Sequence, residues 1–151
     1  MIGRNKLFLG QHHFSFDANN RVKIPASFMH LLADGAILTQ GFDRNILVFT
    51  KPAFQEIALM VRRLNLADPL ARSLHRMLLG NASSIEIDSN GSINLPEALK
   101  EFAGLEKQIV LIGQGDYFEI WSQAQWDPQE TTLRDAEANS QRFAGMDLGR
   151  V

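Results

Sequence analysis

The chain contains no cysteine, which excludes a disulfide framework and any thiolate metal site and fits a reducing cytoplasm. It also lacks any unbroken apolar run near the roughly 20 residues that cross a bilayer, although 45% of its 151 residues are hydrophobic. A soluble protein without a membrane partner is expected. Met1 to Phe8 carry Arg4 and Lys6 but no apolar stretch or small-residue cleavage site, so an export signal is not expected either. There is no excess of positive charge: the net value is -2, which offers no general basic surface to nucleic acid. Catalytic signatures are missing as well. No glycine-rich phosphate loop, nucleophile elbow or His-Glu-x-x-His sequence occurs, and His12, His13, His30 and His75 do not fall at ligand spacing. Ser83, Ser84, Asp17 and Asp88 are better explained by turns than as a catalytic set. The sequence therefore points to no enzyme, no metal, no cofactor and no small-molecule substrate.

What is present is unevenly placed. Residues 1–83 hold ten basic and five acidic side chains, and the remainder holds five basic and twelve acidic. Such a split points to one surface turned toward a polyanion and another turned away. The chain also repeats itself. Phe14 to Pro25 (FSFDANNRVKIP) aligns with Ile85 to Pro96 (IEIDSNGSINLP) at an offset of 71, apolar on apolar, Asp17 on Asp88 and Pro25 on Pro96. Gly41 to Phe54 aligns with Gly113 to Trp126 at an offset of 72, placing Phe49 on Trp121 and Phe54 on Trp126. A duplication is the simplest reading.

Each copy reads as strand, turn, strand, short helix and a further pair of strands, an α+β pattern. Phe14 and Phe16, then Val22 and Ile24, alternate with polar residues around an Asx-rich turn, which predicts a hairpin-like opening. Pro25 and Pro96 are expected at first helical positions, with Gly35 and Gly104 ending helices of about two to three turns. Ala36 to Gln40, Ile46 to Thr50, Gln108 to Ile112 and Tyr117 to Ser122 read as strands. The apolar series Phe54, Ile57, Ala58, Val61, Leu64 predicts a connecting helix, and Asp68-Pro69 caps a second one that Gly80 stops. Beyond Asp127-Pro128 the periodicity weakens to one short helix and a tail. The expected organisation is 1–53 and 81–126 for the two copies, 54–80 for connecting helices and 127–151 for the C-terminal helix and tail.

The Asp-x-x-x-Arg element, Asp17 to Arg21, carries the chemistry. An aspartate before a tight turn accepts backbone N–H bonds from that turn, and the residue four later stands near it, so Asp17 and Arg21 are placed to pair. That alone describes a salt-bridged hairpin. Arg21 and Lys23, two apart on the returning strand, share a face opposite Val22 and Ile24. With Asn19 and Asn20 in the turn and Arg4 and Lys6 nearby in sequence, this basic face suits phosphates and base edges. Asp17 and Asp88 are expected to organise the two turns. Composition alone leaves both readings open.

Several separated motifs occur together. Asp17 to Pro25, Asp88 to Pro96, Arg72-x-x-x-Arg76-Met77-Leu78-Leu79-Gly80-x-Ala82, Val110-x-Ile112-Gly113-Gln114 and Phe118-Glu119-Ile120-Trp121 resemble the MraZ family of bacterial transcriptional regulators, from about Gly10 to Trp126. The resemblance implies a tandem pair of AbrB- and MazE-like swapped-hairpin units forming a small barrel-like core. It also implies a ring-shaped homo-oligomer in the cytoplasm at the nucleoid, bound to direct repeats in promoter DNA ahead of the division and cell-wall gene cluster. The first Asp-x-x-x-Arg loop is then the DNA contact, which falls on Asp17 and Arg21. Two positions depart from the family pattern: Asn19 stands where a basic turn residue is common, and Ser92 replaces the second arginine. The second loop is expected to make no DNA contact, and Lys23 to replace part of the missing turn charge. The other reading is an oligomeric scaffold or antitoxin-like module that binds protein and not specific DNA.

Overall fold

The computed structural model describes residues 6–16 and 19–147. The first copy gives β1 (Gln11–Ser15), β2 (Arg21–Lys23), α1 (Ala26–Met29) with a 3-10 turn at His30–Leu32, β3 (Ala36–Gln40), β4 (Ile46–Phe49), α2 (Lys51–Arg62) and α3 (Pro69–Leu78). The same order returns as β5 (Ser83–Ile85), β6 (Ser92–Asn94), α4 (Glu97–Ala103), β7 (Gln108–Gly113), β8 (Tyr117–Ser122), α5 (Gln123–Leu133) and α6 (Ala136–Arg142). The α+β class and the repeat thus hold at the level of elements. The helices after β4 and β8 belong to the repeat too, since α2 and α5 start at positions 51 and 123.

The expected local hairpins do not form, because the opening strands find partners in the other copy. β1 pairs antiparallel with β7, β5 with β3, and β2 with β6. One six-stranded sheet runs β1-β7-β8-β4-β3-β5, beside the two-stranded β2-β6 ribbon. A three-residue strand buries little against its own neighbour. Across the copies, Val22 and Ile93 meet in register, both fully buried, and Ile24 and Leu95 continue the same apolar face. Equivalent residues face each other in the β2-β6 and β4-β8 pairings: Val22 opposite Ile93 and Leu47 opposite Glu119. An internal two-fold therefore relates the copies.

The core lies between the sheet and the ribbon with its short helices. Phe8, Phe28 and Phe118 meet there at 4.9 to 5.1 Å between ring centroids. On the outer face the repeat builds the same contact twice. Phe49 meets Phe54 edge-on at 5.7 Å, and Trp121 meets Trp126 edge-on at 5.4 Å, each pinning the first turn of the helix that follows. Side-chain caps fix these starts: Thr50 accepts from the Ala53 amide (3.2 Å), Ser122 from Gln125 (3.1 Å) and Asp68 from Leu70 (2.9 Å).

Three local expectations change. The C-terminal helix begins at Gln123 and runs through Pro128, since Ser122 caps it and Trp126 anchors it upstream of the proline. Pro25 and Pro96 are N-cap residues with ψ of 143° and 136°, one place before the helix. The first helix is also shorter than expected, because its last residues tighten into the 3-10 turn that delivers Leu32 to the core. Gly104 does end α4 in the left-handed conformation, with φ 62°.

Candidate nucleic-acid interface

The loop between β5 and β6 shows how the turn is made. The Asp88 carboxylate accepts the amide N–H of Asn90 (2.8 Å) and of Ser92 (3.0 Å), while the backbone closes the turn through Gly91 N–H to the Asp88 carbonyl (3.0 Å). Gly91 has φ 74°, and Asn20 at the matching place in the first loop has φ 58°. Both positions need the left-handed region, and Asn is among the few side-chain-bearing residues that enter it readily. Asn20 in the first loop thus has a backbone cause. Asp17 and Ala18 lie outside the described residues, as does Arg4.

Arg21 makes a salt bridge from Nη1 to the carboxylate of Asp88, the turn aspartate of the other copy. The pairing of Arg21 with Asp17 expected from sequence involves a residue outside the described set. Lys23 likewise reaches across, its Nζ donating to the carbonyl of Asn90 at 2.6 Å. The antiparallel β2-β6 register explains both contacts: it sets Lys23 opposite Ser92 and Arg21 opposite Asn94, so the strand that carries the cations runs beside the second loop. Both basic groups stay accessible, with the Arg21 side chain 38% exposed and Lys23 exposed. The Ser92 N–H bond holds the Asp88 carboxyl below the ordinary aspartate value. Partial burial opposes this, and the Asn90 N–H and the Arg21 guanidinium add to it. Asp88 is thus ionised at neutral pH and able to orient a cation.

The remaining sequence candidates divide by position. Asn19 and Asn20 are exposed beside Arg21 in the first loop. Lys6 is not brought to that loop. It precedes Phe8, which bridges to Gly115 past one end of β7, whereas Ser15, before the loop, pairs with Gln108 at the other end. Sequence proximity misleads there because β1 is extended and carries its two ends apart. His12 contacts the Leu9 carbonyl and the Phe28 ring, and His13 contacts Gln123, so both are tied into structure. What sequence reasoning missed is the cross-copy clamp. A sequence signal that goes with it is that Asp88 stands in a copy whose own arginine position holds Ser92.

This duplicated Asp-centred turn can be set against known proteins. The family described as "MraZ protein, putative antitoxin-like" matches residues 7–77 and again 78–147, one match for each copy with its trailing helices. The chain belongs to the MraZ family. A relative from Herpetosiphon aurantiacus, named transcriptional regulator MraZ, is 38% identical over 120 residues, covering 80% of this chain and 84% of its own. One from Roseiflexus castenholzii with the same name is 36% identical over 138 residues, 91% of this chain and 94% of its own. Another from Methylococcus capsulatus, again so named, is 33% identical over 150 residues, 96% and 99% of the two chains. The MraZ match thus takes in both loops and both helix pairs. Among the described residues no helix is long and apolar enough to cross a membrane, and no group of three or more His, Asp or Glu is arranged to hold a metal.

Proposed function

We propose that this chain is a sequence-specific DNA-binding transcriptional regulator, not an enzyme, that reads promoter direct repeats with its first loop. The observation that carries this is the placement of Arg21 and Lys23 on one exposed face of the ribbon, with the Arg21 guanidinium oriented by an ionised carboxylate. A guanidinium so presented matches the O6/N7 edge of guanine, while an ammonium matches a phosphate. Asn19 and Asn20 sit beside them as further donors, and the basic bias of the first half favours a polyanion on this side. The names of the relatives support the regulatory role.

One protomer offers too few contacts. A single bidentate contact discriminates by about 1 to 3 kcal/mol, whereas a specific site needs roughly 4 to 10 kcal/mol over non-specific DNA. Repeated copies on repeated sites close that gap through effective concentration. An exposed apolar stripe at the α2–α3 corner, Leu59, Met60, Leu64, Leu66 and Leu70, supplies a surface for such assembly into a ring. The exchange of opening strands between copies is read as the AbrB-like swapped hairpin, and the targets as the division and cell-wall promoters, in the cytoplasm at the nucleoid. Fluorescence anisotropy with a native promoter fragment and a scrambled control at two salt concentrations tests the reading. Preference for the promoter with a steep negative salt slope is expected. Equal binding to both fragments, or none, refutes it and favours the protein-binding scaffold.

A further inference from the structure

The second loop has Ser92 where the first has Arg21, yet it holds both cations of the first. Asp88 is fixed by two amide N–H bonds from its own turn and also takes Arg21, and the Asn90 carbonyl of the same turn takes Lys23. We propose that the second-copy loop serves DNA recognition without reading a base, with Asp88 as the positioning residue that aims Arg21 of the first copy. This rests on the DNA-reading assignment above.

The argument is one of anchoring. Arg21 projects from a three-residue strand, and a long side chain there samples many rotamers that miss a base edge. Its salt bridge ends on a carboxylate that the turn immobilises, so the guanidinium is aimed before DNA arrives and less ordering is left for the encounter. The same carboxylate has a second effect of opposite sign. A negative charge beside the contact face repels phosphates wherever the protein lands, so it weakens non-specific binding while its orienting effect strengthens specific binding. Ser92, 5% exposed in β6, gives the second copy no such long cation of its own.

The two effects make the role separable from a structural one. Asp88→Asn keeps an acceptor for the Asn90 and Ser92 amides but removes the charge that pairs with Arg21 across the copies. Anisotropy titrations of the full-length protein should show promoter affinity falling about fivefold or more, the low end for one misaligned bidentate contact. Affinity for the scrambled fragment should stay level or rise. Asp88→Glu, which keeps a carboxylate, should retain more of the promoter preference than Asp88→Asn, with thermal melts run on each variant. Parallel losses on both fragments would mark Asp88 as a fold residue only. Parallel gains would mark it as a repelling charge only, and equal preference in the Asn and Glu variants would also overturn the proposal. A parent protein without promoter preference would instead remove the DNA-reading assignment, and this role with it.

Discussion

The two Asp-centred loops descend from one pattern and have come to differ in what they hold out to solvent. The first presents Arg21 and Lys23 beside Asn19 and Asn20, while the second presents a carboxylate and carbonyls, with Ser92 and Asn94 where the cations would stand. Because each opening strand pairs in the other copy, the difference is complementary and not simply a loss. The loop without cations lies where it can grip the loop that has them. The difference teaches that the pair of loops is the unit to perturb.

The sharpest way to break the comparison is to mutate equivalent positions. Arg21→Ala removes a five-donor fork that a lysine cannot imitate and should abolish promoter preference while light scattering shows the assembly intact. Ser92→Ala should leave binding unchanged. Equal losses at the two positions would show that both loops face DNA. Lys23→Ala should weaken promoter and scrambled fragments alike and flatten the salt slope by about one unit.

Stability should divide the copies too. Phe28, 1% exposed, packs edge-on against Phe8 and beside Phe118, whereas the equivalent position in the second copy is Leu99, 4% exposed, in the same core. Phe28→Ala should cost about 3 to 5 kcal/mol and Leu99→Ala about 2 to 5, with the phenylalanine loss the larger by urea unfolding. Of the fold, much of this was legible. Strands β3, β4, β7 and β8 follow from apolar runs bounded by glycine turns, and α3 from the Asp68-Pro69 cap. The exchange of β1, β2, β5 and β6 was not legible from the residues, because alternation reports which face is buried and says nothing of which strand lies alongside. For the same reason the contact of Arg21 with Asp88 of the other copy is not legible in the spacing of either loop.

Smaller effects sharpen the comparison of the turns. Gly91→Ala forces a side chain into φ 74° against the Met29 thioether at 3.3 Å and close to the Lys23 ammonium, and should cost about 1 to 2 kcal/mol. Asn20→Gly, at the matching φ of 58°, should leave the melting temperature nearly unchanged. Equal destabilisation by both changes would mean that the two turns differ in backbone shape. The least effect is acidic. Asp88 titrates below the ordinary aspartate value when folded, so its contribution is complete above about pH 4 and lost as pH falls through the lowered value. Melts of parent and Asp88→Asn should therefore differ by a constant amount near neutrality and converge in acid; a gap that persists in acid would remove the ionised carboxylate from the stability of the turn.

Leu47 opposite Glu119 has a meaning for ancestry. In a dimer of identical half-length chains, whatever residue sits on the two-fold must meet its own twin, so a carboxylate there would confront a carboxylate. Joining the halves into one gene lifts that restriction. Here one side of the axis has taken a leucine, 7% exposed, and the other a glutamate, 8% exposed, that accepts from the Trp121 indole (2.9 Å) and the Gln114 amide (3.1 Å). A pairing forbidden to twins is open to siblings, and the same freedom let one loop specialise in cations and the other in holding them.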